Sequence, residues 1–80
     1  MPPAHRVRMV SRATCGLCDR AREAILALRA TLDFAYEEVF IDGDDALERA
    51  YGLRVPVVLV DGREQFESEV DGARLRDLLR

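Results

Sequence analysis

The chain has 80 residues, of which 49% are apolar and 34% charged, and a formal net charge of −3. That describes one domain over residues 1–80 with a small core, of ordinary globular rather than disordered composition. An acidic balance argues against a nucleic-acid-binding surface, and no apolar run approaches the ~18 residues of a membrane span.

The start, Met1-Pro2-Pro3-Ala4-His5-Arg6, lacks the apolar core of a secretory signal. The expectation is therefore a cytoplasmic monomer with neither nucleic acid nor membrane as a partner. All twelve cations are Arg. Arg grips carboxylates bidentately, but the simpler reading, a coding composition that favours arginine, is the one preferred.

Arg6-Val7-Arg8-Met9-Val10-Ser11 is β-prone and reads as a first strand. From about Cys15 to Leu32 the pattern turns helical, with Leu17, Ala21, Ala24, Ile25, Leu28 and Leu32 on one stripe. Thr14 is placed to cap this helix through its hydroxyl. Phe34 to Asp42 reads as a second strand, with Tyr36, Val39 and Ile41 as its bulky members. Asp42-Gly43-Asp44 then makes a turn and a cap for a short helix over about Asp45 to Tyr51, stopped by Gly52.

The most apolar stretch, Val55-Pro56-Val57-Val58-Leu59-Val60, suits a central strand covered on both faces. Asp61-Gly62 is a hairpin signal, followed by a weaker strand at about Glu64 to Ser68. Asp71 is placed to cap a last helix running to Leu79, with Leu75, Leu78 and Leu79 inward. The order β-α-β-α-β-β-α predicts a right-handed first crossover and a four-stranded mixed sheet with helices on both faces, an α/β class.

The two cysteines are three apart, Cys15-Gly16-Leu17-Cys18. A structural bridge between such near neighbours closes a tiny loop and stabilises little. In a reducing compartment the spacing reads as redox chemistry or metal binding. A strand that ends in C-x-x-C at a helix start places the first Cys among unpaired amides and the positive end of the dipole, which lowers its pKa. Cys15 is thus the expected nucleophile, and Cys18, one turn on and more buried, the resolving thiol. Arg12 adds positive charge near the pair and Asp19 negative charge. A zinc ion wants four N or S ligands, and His5 is the sole further candidate. The metal alternative is therefore an ion or iron–sulfur cluster shared by the Cys pairs of two chains.

Thr14-Cys15-Gly16-Leu17-Cys18, followed at this distance by Arg54-Val55-Pro56-Val57-Val58 and Asp61-Gly62, resembles the glutaredoxins, in particular short bacterial glutaredoxin-like proteins with Leu before the second Cys. The resemblance spans nearly the whole chain and implies a thioredoxin fold and a thiol–disulfide oxidoreductase. It implies that Pro56 is cis and faces the Cys pair, that the Val55 backbone pairs with a bound thiol, and that Arg12 meets a substrate carboxylate. It leaves Asp71 as a partner for an amine. No tightly bound cofactor is implied; electrons come from glutathione, another low-molecular-weight thiol or a thioredoxin reductase. Disulfide-containing or thiolated proteins are the implied substrates. Where the family has Gly-Gly, this chain has Phe66-Glu67-Ser68-Glu69-Val70, and Glu67 and Glu69 are expected to repel a glutathione carboxylate.

Overall fold

The computed structural model describes residues 3–80. Met1 and Pro2, the first two residues of the stretch read for a secretory signal, lie outside them. All seven anticipated elements form in the anticipated order: β1 (Arg6–Ser11), α1 (Gly16–Leu28), β2 (Ala35–Phe40), α2 (Asp45–Tyr51), β3 (Val57–Val60), β4 (Arg63–Glu67) and α3 (Gly72–Leu79). The sheet runs β2-β1-β3-β4. β1 and β2 pair in parallel across α1, while β1–β3 and β3–β4 are antiparallel. None of the helices among the described residues is long and apolar enough to cross a membrane.

Alternation along the strands distributes the apolar side chains over both faces. Val7, Met9, Val58, Val60 and Phe66 meet Ala21 and Ile25 of α1 and Leu75 and Leu79 of α3, with Phe34 closing the cluster. On the other face Val10, Val57 and Ile41 form a smaller cluster beneath Leu47 and Tyr51 of α2. The continuous apolar reading of β3 follows from this: Val57 serves one core and Val58 the other.

Several boundaries differ from the sequence reading, β2 ending at Phe40 rather than Asp42 and β4 running from Arg63 to Glu67 among them. Helix α1 ends at Leu28, because the amides of Arg29, Ala30 and Thr31 reach back three residues, to Leu26, Ala27 and Leu28, and tighten the chain into turns. Leu32 nonetheless packs on the larger core. Strand β3 starts at Val57 rather than Val55, and Cys15, not Thr14, is the N-cap of α1. The Asp61-Gly62 hairpin forms as expected, with φ of 52° and 84°, the left-handed pair that a tight two-residue turn demands and that glycine adopts freely.

Candidate active site around the cysteine pair

Strand β1 delivers the chain directly to the Cys loop, and α1 begins at Gly16. Cys15 has an extended backbone (φ −157°, ψ 107°), and its Sγ accepts the amide of Cys18 at 3.1 Å. The Cys15 carbonyl accepts the amide of Asp19 at 3.0 Å, closing the first turn. A side chain at the N-cap has to accept from the first-turn amides. The sulfur does so, which is why the Thr14 hydroxyl is left outside. Cys15 is partly exposed, whereas Cys18 has no exposed surface. The two are joined as a disulfide, with Cα atoms 5.2 Å apart. An entering thiol therefore meets Cys15 first, and a thiolate formed there sits where first-turn amides stabilise it.

The second wall comes from the segment before β3. Antiparallel pairing of Val10 with Val57 brings Val55 and Pro56 to the end of the sheet where the Cys loop lies. The Val55–Pro56 bond is cis, as the resemblance implied, and Pro56 is buried. Ser68, at φ 66°, donates its amide to the carbonyls of both Arg54 (3.1 Å) and Pro56 (2.9 Å). The β4–α3 connection is thereby tied around the proline. Among the described residues the amide and carbonyl of Val55 have no backbone partner, so both remain available to an extended ligand.

Arg12 and Asp19 do not compete over the thiolate, because each is neutralised. Arg12 pairs with Glu48 of α2 (Nη2 to Oε1, 2.6 Å) and donates to the Gly52 carbonyl (3.0 Å). The Glu48 carboxylate holds the Arg12 guanidinium more firmly protonated than usual. Asp19 accepts from Arg22 at 2.9 Å. The polar group that contacts Cys15 Sγ is the Cys18 amide of the helix start.

The expected acidic wall is half present. Glu67 turns to Arg54, 3.5 Å away, and does not line the groove beside the pair. Glu69 does line it, with Leu17, Arg20, Ala21, Ser68 and Val70, around about 200 Å³. Asp71 caps α3, its Oδ1 accepting from the amides of Ala73 and Arg74.

One polar cluster was not anticipated. Glu38, its side chain 13% exposed, accepts from Ser11 Oγ (2.7 Å), the Tyr36 hydroxyl (3.1 Å) and the Arg22 guanidinium. Arg22 holds the Glu38 carboxyl below the usual carboxylate range, and burial, with Glu38 adding to it, pushes the Tyr36 phenol up to about 12. Arg22 lies one helical turn beyond Cys18 on the same face, so the cluster anchors α1 onto β1 and β2 behind the buried sulfur. Its only trace in the sequence is a Glu between two aromatics on a helix-covered strand. His5, the extra zinc candidate, sits at the far end of β1, roughly 20 Å from the Cys loop at strand rise, with its Nδ1 2.7 Å from Asp61.

The family model described as "Glutaredoxin-like domain (DUF836)" matches residues 6–80. An uncharacterised protein of Mycobacterium tuberculosis is 38% identical over 76 residues, covering 89% of this chain and 78% of the relative. The X-ray structure of target protein XcR50 from X. campestris is 47% identical, covering 91% of this chain and 93% of that one, with a TM-score of 0.76. A mutant thioredoxin from Halobacterium salinarum is 28% identical over 96% of this chain and 73% of its own, with a TM-score of 0.65. With its thioredoxin-like α/β fold and its C-x-x-C pair at the head of α1, the chain belongs to the glutaredoxin-like domain family.

Proposed function

We propose that the protein is a dithiol oxidoreductase that reduces disulfide-containing or thiolated proteins, with Cys15 as nucleophile and Cys18 as resolving thiol. The observation that carries the reading is the asymmetry of the pair: a partly exposed Cys15 at a helix N-cap, bonded to a fully buried Cys18. In the reduced protein the Cys15 thiolate attacks one sulfur of a substrate disulfide. That S–S bond breaks, a Cys15–substrate disulfide forms, and the other substrate sulfur leaves as a thiolate. Cys18 then loses its proton and attacks Cys15 Sγ, forming the internal disulfide and releasing the second thiolate. Two electrons have passed to the substrate, and a thiol donor or reductase returns two to the pair. The Val55 amide and carbonyl align the peptide-like part of the bound thiol beside Pro56, and Asp71 has only Oδ2 left for an amine.

The electron donor in this reading is a protein reductase or a low-molecular-weight thiol other than glutathione. Arg12 is engaged by Glu48 and Gly52, and Glu69 lines the groove, so a tripeptide with two carboxylates finds few matched cations. The setting is the cytoplasm. The test reduces the oxidised protein in parallel with glutathione and with thioredoxin reductase, each coupled to NADPH, and follows iodoacetamide alkylation of the Cys15→Ser and Cys18→Ser variants. Turnover that disappears in Cys15→Ser, with Cys15 alkylating faster than Cys18 at neutral pH, is expected. Faster alkylation of Cys18 would reverse the roles, and efficient turnover by glutathione alone would overturn the donor assignment.

A further inference from the structure

We infer that Arg12 is a positioning residue: with Glu48 and Gly52 it forms a brace that sets the distance between the Cys loop and the Val55–Pro56 wall. The inference rests on the dithiol reading and assigns a mechanical part within that site. Arg12 belongs to the connection that leads from β1 into Cys15, three residues before the sulfur. Its guanidinium reaches out of that connection and holds two other parts of the chain at once. Nη1 donates to Glu48 Oε2 at 3.1 Å, Nη2 lies 2.6 Å from Glu48 Oε1, and Nη2 also donates to the Gly52 carbonyl at 3.0 Å. Glu48 fixes the brace to α2, and Gly52 fixes it to the first residue of the segment that becomes the Val55–Pro56 wall.

The two side chains are part-exposed, 33% for Arg12 and 40% for Glu48, and three further observations bear on how the contact is built. Glu48 Oε1 is buried and has no aligned hydrogen bond among the described residues, so the Arg12 charge is what compensates it. Gly52 has an ordinary helical backbone (φ −49°, ψ −38°), so its lack of a side chain answers a packing demand and not a conformational one. A Cβ there would stand 2.5 Å from the Glu48 carbonyl oxygen and 3.3 Å from Glu48 Oε1. The segment is also pinned beyond Gly52: the Arg54 amide bonds the Tyr51 carbonyl at 2.8 Å, and the Arg54 guanidinium reaches the Ala50 carbonyl and Glu64. Between these anchors Leu53 is fully exposed, so apolar packing does not hold the segment at its apex. A planar fork that binds a carboxylate and a carbonyl together is the geometry Arg supplies and Lys does not.

The experiment compares Arg12→Gln, Arg12→Lys, Glu48→Gln and the Arg12→Gln/Glu48→Gln double variant. Each is assayed with a neutral disulfide, bis(2-hydroxyethyl) disulfide, and with the anionic glutathione disulfide, using dithiothreitol as reductant. The double variant leaves neither charge without its partner, so it keeps the fold while losing the brace. A brace predicts that Arg12→Gln, Glu48→Gln and the double variant all lose about tenfold in kcat/KM on both disulfides alike, well within what ångström-scale misplacement costs. Arg12→Lys falls between them and the unaltered protein. A loss confined to glutathione disulfide in Arg12→Gln, with Glu48→Gln improving on that substrate, would instead make Arg12 a carboxylate-binding residue. Amide hydrogen exchange at Gly52 and Arg54, whose amides are bonded to the Glu48 and Tyr51 carbonyls, reads the brace in the oxidised protein without any turnover. About tenfold faster exchange in the double variant supports the brace and unchanged exchange refutes it. If the unaltered protein turns over neither disulfide, the dithiol reading fails while the exchange result still decides the brace.

Discussion

The two faces of the sheet are built to different standards. On one, α1, α3 and the strands beneath them build a single cluster of ten buried residues, from Val7 and Met9 through Ile25 and Phe34 to Leu75 and Leu79. On the other, α2 contributes no buried residue, and the cluster beneath it has three members, Val10, Ile41 and Val57. Length explains much of this. A helix of seven residues is roughly 10 Å long, about half the span of a six-residue strand. The uncovered half of that face is an open bay of about 520 Å³, with Arg6, Arg8, Glu37, Leu59 and Asp61 around it.

The thin face compensates with polar contacts instead of apolar area. Arg12 holds Glu48 and Gly52, Asp42 accepts the amide of Ala13 at 3.0 Å, and Asp44 caps α2 through the amide of Leu47. The Cys pair sits at the seam, with α1 rooted in the thick core and the Val55–Pro56 segment attached to the thin side.

Truncation on each side tests that contrast most directly. Phe34→Ala empties a fully buried aromatic site in the thick core and is expected to cost about 3–5 kcal/mol. Ile41→Ala removes an equally buried side chain from the thin cluster and is expected to cost about 2 kcal/mol, at the low end for such a change, because that cluster has few members whose contacts are lost. Urea unfolding of both variants gives the ordering. Native-state hydrogen exchange should find α2 opening at lower free energy than α1, and more so in Ile41→Ala. Equal costs, or α2 as well protected as α1, would mean the faces do not differ in stability.

The Glu38 cluster sharpens the comparison, since it belongs to the thick face but is polar. Its carboxyl lies below its ordinary value of 4.5, chiefly because Arg22 donates to it. A depressed carboxyl contributes stability that is present above the ordinary value and lost as pH falls through the folded one. Glu38→Gln should therefore cost about 1–3 kcal/mol at neutral pH, the range for losing charged hydrogen bonds. It should also flatten the loss of stability below pH 4.5 that the unaltered protein shows. Thermal melts from neutral pH down through that range decide it; an acid limb of unchanged steepness would place the acid sensitivity elsewhere.

How far these features were legible in the sequence depends on their range. Every element and its order followed from period, caps and the Asp61-Gly62 turn, because those signals are local. Asp71 capping α3 was equally local. The cap of α1 moved from Thr14 to Cys15 because a sulfur took the amide that the hydroxyl was expected to accept. The partners of Arg12 lie 36 and 40 positions away in Glu48 and Gly52, so its charge looked free when the chain was read in one dimension. Glu67 and Glu69 looked equivalent, yet alternation along β4 sends Glu67 toward Arg54 while Glu69 falls past the strand end beside the groove. Long-range pairing of charges is what local pattern does not encode.

The smallest expected effect concerns the open half of the thin face, where His5 and Asp61 meet at the rim of the bay. His5 Nδ1 lies 2.7 Å from Asp61 Oδ2, and Asp61 Oδ1 accepts the amide of Arg6 at 2.9 Å, so the pair ties the start of β1 to the β3–β4 turn. The hydrogen bond from Asp61 raises the His5 imidazole above its ordinary 6.5, and the same bond lowers Asp61 below its ordinary 3.8. The two shifts carry opposite signs. The His5 contribution is complete below 6.5 and fades as pH rises through its folded value, whereas the Asp61 contribution is complete above 3.8 and fades as pH falls. Their joint window therefore runs from about pH 4 to 6.5, and both groups are exposed enough for salt to weaken the pair. His5→Gln keeps a polar side chain but cannot take the charge. Its melting temperature should fall below that of the unaltered protein at about pH 5.5, by less in high salt, and converge with it by about pH 8.5. Turnover should not change, since the pair lies at the opposite end of β1 from Cys15. A gap of the same size at both pH values would show a neutral hydrogen bond with no linked proton, and the open half of the thin face would then have no charge-dependent support at this corner.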